Sequence, residues 1–288
     1  MTAVVSQGYN SDKLTFLLSL LSSAGSAVLA FSGGLDSSFL LHAMKLSGMR
    51  FLAVTAHSKT MPERDFEHAV SVAEETGADH LIIHTDEVSN ESFASNPPDR
   101  CFYCKEGLFR KLRDIAAERG FVHLFDGTNS DDLKDYRPGL KAAALFQVRS
   151  PLAESGFSKE EIRTVSRDLG LGFWNRPASP CLSSRFPYGR RITHSGLEQV
   201  AAAEELLRGL GIKELRVRHH GEVARIELKE EDMPILLDPV LRKKITSELK
   251  ALGFSFVSLD LEAYSSGNLN RVLKDHISCQ PKNPKQLT

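Results

Sequence analysis

Two stretches of the chain carry residue types and spacings that can do chemistry. The first is Ser32-Gly33-Gly34-Leu35-Asp36-Ser37. Paired glycines let a backbone turn tightly and approach an anion with no Cβ in the way. Successive N–H groups in such a turn point at the anion, and a helix starting there adds its dipole. Ser32 and Ser37 supply hydroxyl donors, and Asp36 can hold Mg²⁺. No Gly-Lys-[Ser/Thr] follows, so this is not a Walker A loop. It reads as a pyrophosphate-binding loop, and it predicts that ATP is bound and split to AMP and pyrophosphate. The bland alternative is a plain glycine turn.

The second stretch is Arg176-Pro-Ala-Ser-Pro-Cys181-Leu-Ser-Ser-Arg185-Phe-Pro-Tyr-Gly189. Cys181 has polar and basic neighbours in sequence. Nearby cations favour a thiolate, the form of cysteine that acts as a nucleophile. The alternative is a half-buried cysteine packed as a small hydrophobe. The other cysteines are Cys101, Cys104 and Cys279. Cys101-Phe-Tyr-Cys104 opens a predicted helix, where a Cys-x-x-Cys can be a metal site, a redox dithiol or plain packing. A zinc site would need further ligands, such as Cys181 with a histidine. Three thiolates from Cys101, Cys104 and Cys181 can hold three irons of a [4Fe-4S] cluster and leave the fourth open. Cys279 lies in the polar tail and has no expected role.

These residues need elements to hold them. Ala27–Phe31, Phe51–Ala56, His80–His84 and Val122–Phe125 are short, continuous apolar runs and read as strands covered on both faces. Between them, Ser37–Leu46, Met61–Thr76 and Cys104–Arg119 read as helices, with Pro62 suited to a first turn and Gly120 to a stop. Repeated β-α units predict an α/β fold, a doubly wound parallel sheet. Ser158–Glu161 has the capping-box spacing and opens a helix to about Leu169. Trp174–Thr193 has three prolines and no periodicity, so it reads as a linker or functional loop. A smaller C-terminal α+β unit follows. Its helices are Ser195–Leu210 and Pro239–Leu252, and its strands Glu214–His219, Ala224–Leu228 and Phe254–Leu259. The predicted organisation is a nucleotide domain over 1–175, an active-site loop over 176–193, the small unit over 194–275 and a disordered tail over 276–288.

In the small unit Arg216 and Arg218 alternate along a strand and so share a face. Two guanidinium forks on one face suit a phosphate. His219 and His220 read as ordinary strand-end residues.

The phosphate loop resembles that of the PP-loop ATP pyrophosphatases, and Asp126-Gly127-Thr128-Asn129-Ser130-Asp131-Asp132 is similar to a second element of that superfamily. With Cys181 and its flanks, with Arg100-Cys-Phe-Tyr-Cys-Lys105 and with Asp135-Tyr-Arg-Pro-Gly139, the chain resembles the ATP-dependent sulfur transferases of the LarE type over roughly Leu14 to Asn270. The resemblance implies that Ser32, Gly33, Gly34, Asp36, Ser37, Gly127 and Thr128 bind ATP. It implies that Arg216, Arg218, Ser184 and Arg185 take the phosphate of a nucleotide substrate. Glu204 and Glu227 would then bind a divalent cation beside it, with solvated helix and strand faces as the bland reading. The family activates a pyridinium carboxylate mononucleotide with ATP and converts it to a thiocarboxylate for the nickel-pincer cofactor of lactate racemase. Cys181 would attack the acyl-adenylate. The sulfur would come either from Cys181, leaving dehydroalanine, or from a sulfide on the cluster. The resemblance also implies a homo-oligomer.

Composition narrows the rest. The 288 residues are 41% hydrophobic, enough for a sizeable core, and the formal net charge is −1. That charge argues against broad nucleic-acid binding and hence against a tRNA thiolase, although a local basic groove would suffice for one. Cys181 and its Pro/Ser-rich flanks count against an ammonia-dependent ligase. A nucleotide-binding iron–sulfur sensor is the non-enzymatic reading. No run of about 18 apolar residues occurs, and the N-terminus lacks the basic n-region of a signal peptide, so a cytoplasmic location is expected and no membrane partner.

Overall fold

The structure is a computed structural model that describes residues 10–134, 137–265 and 268–271. The chain divides into two compact units. One runs to Ala94 and resumes over Asp99–Cys181; the other comprises Ser95–Pro98 and the chain from Leu182 onward. The loop expected over 176–193 is therefore not a separate unit: its first part, ending at Cys181, packs with the larger unit.

The larger unit contains, in order, α1 (Asn10–Ser23), β1 (Ser26–Ala30), α2 (Leu35–Ser47), β2 (Arg50–His57), α3 (Glu63–Thr76), β3 (His80–His84), α4 (Glu91–Ala94), α5 (Arg100–Arg119), β4 (His123–Phe125), α6 (Gly139–Leu145), α7 (Pro151–Glu154) and α8 (Lys159–Asp168). Its sheet has the order β3-β2-β1-β4 with every pairing parallel. The continuous apolar runs follow from two-sided burial. Ala27, Leu29 and Ala53 pack with Leu17, Phe39 and Ile162 on one face. Val28, Leu52 and Val54 pack with Phe109, Leu112 and Ala142 on the other. The exception is β3, the edge strand, where Ile82 is exposed. The chain runs from β1 outward through β2 to β3 and then crosses back to β4 on the other side of β1, so a switch point lies between β1 and β4, where α/β sheets bind ligands.

Local chemistry sets the element ends. Ser158 and Glu161 cap α8 reciprocally, as their spacing predicts. Gly48, Gly77 and Gly120 close α2, α3 and α5 in the left-handed conformation. Pro62 stands just outside α3 with ψ 136°, not in its first turn. Helix α5 begins at Arg100, four residues earlier than predicted, behind Asp99. Cys101 and Cys104 are therefore one turn apart on a single helical face.

The smaller unit contains α9 (His194–Arg208), β5 (Leu215–His220), β6 (Val223–Leu228), α10 (Met233–Leu237), α11 (Pro239–Ala251) and β7 (Phe256–Leu259). Its sheet has the order β5-β6-β7, antiparallel then parallel. Leu207, Val217, Ile226, Leu249 and Phe254 fill its core. Phe254 belongs to that core and not to the last strand, which explains the later start of β7. Among the described residues no helix is long and apolar enough to cross a membrane. Asp135, Tyr136, Cys279 and the polar tail lie outside the described residues.

Candidate active site

The segment Ser32–Gly34 links β1 to α2 and is shaped by its glycines. Gly33 has φ +68°, and a Cβ on it would lie 2.7 Å from Ala69 on α3. Gly34 caps α2 without a side-chain cap bond. The Ser32 and Ser37 hydroxyls are 3.1 Å apart, and Ser37 donates back to the Gly34 carbonyl. From the other side of the switch point, Gly127 comes so close that a Cβ would lie 2.9 Å from the Ser37 nitrogen. The two motifs thus meet through backbone contact that only glycine permits.

They wall a cavity of about 330 Å³. Ser32, Gly34, Asp36, Ser37, Gly127 and Thr128 line its polar end, and Val54, Ala56, Met61 and Phe109 form an apolar wall. Lys105, Asp126, Asp132 and Arg137 also face it. Lys105 Nζ is 3.2 Å from Asp126 Oδ2, and Ser150 and Thr128 donate to the same carboxylate. Burial opposes ionisation of Asp126, but Lys105 and these hydrogen bonds outweigh it and hold its pKa below the usual value. Asp36 is the reverse case. Burial raises its pKa, although Lys159 at 3.6 Å and the Asn129 amide at 3.2 Å oppose the rise. A cation beside Asp36 would supply the charge it lacks, so its chemistry fits Mg²⁺.

The thiols gather at the same unit. Cys104 lines the cavity. Its pKa stands well above the ordinary value through burial, the charge of Glu87, and the charges of Cys181 and Cys101. Protein packed around Cys101, together with the charge of Cys181, raises that thiol as well. No disulfide joins the three cysteines, and the charge of Cys181 acts on both Cys101 and Cys104. Among the described residues, however, no three Cys, His, Asp or Glu side chains converge tightly enough to hold a metal ion.

The smaller unit holds a buried charge cluster. Arg185 donates Nε and Nη2 to the two oxygens of Glu204, at 2.8 and 2.9 Å. Arg208 and the Val217 N–H add to the same carboxylate. Arg218 grips Glu227 in the same forked way, at 2.8 and 2.6 Å, and Arg225 joins it. Arg218 also donates to the Ser184 carbonyl, and Arg185 to the Ser184 hydroxyl. Arg216 is 5% exposed, donates to the Leu215 carbonyl and lies 4.7 Å over the Tyr264 ring. Among the described residues it has no carboxylate at ion-pair distance. Burial, then the charge of Arg185, lower its pKa to about 10. The cluster is short of negative charge and is suited to an anion.

No family model matches the chain. Similarity to individual proteins is extensive. The chain is 42% identical over 263 residues to an uncharacterised protein of Synechocystis, covering 91% of this chain and 98% of that one. It is 30% identical over 240 residues to an uncharacterised protein of Methanocaldococcus jannaschii, covering 83% and 90%. It is 40% identical over 263 residues to the pyridinium-3,5-bisthiocarboxylic acid mononucleotide synthase of Lactiplantibacillus plantarum, covering 91% and 95%. The chain belongs to the LarE family. It is thus related to an enzyme along nearly its whole length.

Against that family background the structure sorts the site residues. The residues expected to bind ATP meet at one cavity, except Gly33, which packs against α3. Arg216, Arg218, Ser184 and Arg185 lie in or beside one buried cluster. Two expectations need correction. Glu204 and Glu227 do not present themselves to a cation: guanidinium donors occupy their oxygens, and they serve to hold arginines. The cations next to Cys181 in sequence are also committed elsewhere, Arg176 to Asp65 and Arg185 to Glu204. Lys105 and Lys159 are not among the expected site residues, and Asp132 enters only as the end of the second motif. Isolated charged residues on helices and turns look like solvated surface, although Lys105 directly follows the Cys-x-x-Cys.

Proposed function

We propose that the chain binds ATP in the 330 Å³ cavity and adenylylates the carboxylate of a pyridinium carboxylate mononucleotide, which it then converts to a thiocarboxylate for nickel-pincer cofactor synthesis. One observation carries the reading: a phosphate loop and three cysteines, one of them lining the same cavity, share one unit of a chain that is 40% identical to a synthase named for this product. The apolar wall suits the adenine ring, and the backbone N–H groups near Gly34 suit the pyrophosphate. Asp36 would hold Mg²⁺, which neutralises the departing pyrophosphate. Arg216 and Arg218 would take the phosphate of the substrate.

In the transfer step the Cys181 thiolate attacks the acyl carbon of the adenylate. AMP leaves with the electron pair of the broken C–O bond, and a thioester remains. A base then removes the Cys181 Cα proton, and the Cβ–S bond breaks with its electrons moving to sulfur. The products are the thiocarboxylate and dehydroalanine. The presence of Cys101, Cys104 and Cys181 in one unit leaves a second source to test, a sulfide carried by a [4Fe-4S] cluster on these thiols, which would spare Cys181. Such a cluster would require the thiols to close together. We propose a homo-oligomer in the cytoplasm as the working form.

Intact mass spectrometry after anaerobic turnover with ATP and the pyridinium substrate tests the reading. Substrate-dependent pyrophosphate release with loss of the mass of H₂S at Cys181 supports the sacrificial route. Continued turnover at unchanged mass, with about four irons bound after reconstitution, supports the cluster. No pyrophosphate release with this substrate overturns the proposal.

A further inference from the structure

Asp65 is 7% exposed and sits in the first turn of α3. Its partners come from far along the chain. Arg176 Nη2 donates to Oδ1 at 2.7 Å, and the Ser179 hydroxyl donates to Oδ2 at 2.5 Å. Ser179 is two residues before Cys181, and Pro177 and Pro180 flank it, so the chain between the anchor and the thiol has restricted φ angles. One turn further along the same face of α3 is Ala69, which packs against Gly33 of the phosphate loop. A single helix therefore touches the phosphate loop with one residue and ties down the Cys181 segment with another, about 6 Å apart along its axis.

We propose that α3 sets the distance between the phosphate loop and the Cys181 thiol, with Asp65 as the latch that holds the thiol-bearing segment. An ordinary first-turn carboxylate needs only solvent and the helix dipole. Asp65 instead is buried, and its two oxygens are satisfied by the two polar residues that lead to Cys181. Asp65 is thus a positioning residue: it touches no reacting atom and acts through residues 176–181. The role of the thiol rests on the function proposed above. The latch itself rests on geometry alone.

The test uses the full chain with Asp65→Asn and Ser179→Ala, the latter removing one bond without leaving a buried charge unpaired. Hydrogen–deuterium exchange over 173–182 needs no substrate and decides the latch. We expect exchange there to rise about tenfold or more in both variants, with β1 and β2 unchanged. In turnover, pyrophosphate release should stay within about twofold while thiocarboxylate formation falls tenfold to a hundredfold, the scale of a misplacement near 1 Å. Asp65→Glu, which keeps both acceptors, should recover part of the loss. Unchanged exchange over 173–182 overturns the latch. Equal loss of both half-reactions, or loss spread over the whole sheet, shows a structural role only. A wild-type protein that releases no pyrophosphate with the pyridinium carboxylate refutes the proposed function and leaves the exchange result standing.

Discussion

Gly33 and Gly34 are adjacent, yet alanine should act on them in different ways. At Gly33 the backbone has φ +68°, which costs an L-residue about 1–2 kcal/mol. The new Cβ would also lie 2.7 Å from both the Cα and the Cβ of Ala69. Relieving such overpacking costs about 1–3 kcal/mol more. The sum is about 2–5 kcal/mol, and at about 2–4 °C per kcal/mol for a unit of this size Tm should fall by about 5–20 °C. Gly34 has φ −71°, and its Cβ would meet only the Ser32 hydroxyl, at 3.4 Å. Alanine there should leave Tm within about 2 °C, since it also removes freedom from the unfolded chain. Gly34 lines the cavity, however, so nucleotide affinity should drop in Gly34→Ala without loss of stability. Thermal melts by circular dichroism, with calorimetric titration of a non-hydrolysable ATP analogue, read both effects. A Gly33→Ala protein that melts like the wild type, or a Gly34→Ala protein destabilised as much as Gly33→Ala, would refute the steric argument.

Cys181→Ser should still release pyrophosphate but lose thiocarboxylate formation, as coupled phosphate and product assays on one sample will show; retained product formation would remove Cys181 from the chemistry. Arg216→Ala should raise the KM for the nucleotide substrate about tenfold with ATP affinity unchanged. Arg218→Ala should do the same and also destabilise the protein, because it leaves buried Glu227 with only the half-exposed Arg225 as countercharge. Glu204→Gln should cost about 3–5 kcal/mol by leaving fully buried Arg185 without its countercharge; a melt within a degree of wild type would count against the ion pair. Asp126 has a depressed pKa in the folded state, so its contribution is present above the unfolded value near 4 and lost as pH falls through the folded value. Asp126→Asn should therefore flatten the acid limb of the stability–pH curve, read by denaturant titration at several pH values.

The larger unit was legible because its signals are local. Two-sided burial writes β1 and β2 as unbroken apolar runs, and tight backbone approach leaves glycine at 33 and 127. The capping box at Ser158 marks its helix with two residues three apart. What was hidden depends on partners distant in sequence. Asp65 looks like any acidic residue at a helix start, and only its contacts 111 and 114 residues later give it a role. The family resemblance offers Glu204 and Glu227 as cation ligands, and the sequence shows the carboxylates but not the arginines that hold them. The start of α5 was missed for another reason. Asp99 follows two prolines, and those residues read as a loop, yet they place Cys101 inside the first turn.

The two charge-bearing sites share a physical logic that links their energetics to their expected ligands. Asp36 is a carboxylate whose burial outweighs the help of Lys159 and Asn129, so its ionised form is held at a cost. Arg216 is a guanidinium whose burial, beside Arg185, lowers its pKa to about 10, so its charge is also held at a cost. At neutral pH Arg216 remains ionised. Their neighbours are different. Asp126 has Lys105, Glu204 has Arg185, and Glu227 has Arg218, each paired and hydrogen-bonded. Groups whose partners outweigh burial build a rigid frame, and a group whose burial outweighs its partners is where binding energy can be gained. A cation at Asp36 and an anion at Arg216 would each relieve the imbalance already present. In the proposed function the paired carboxylates are scaffolding, and Asp36 and Arg216 are the groups proposed to meet Mg²⁺ and a substrate phosphate.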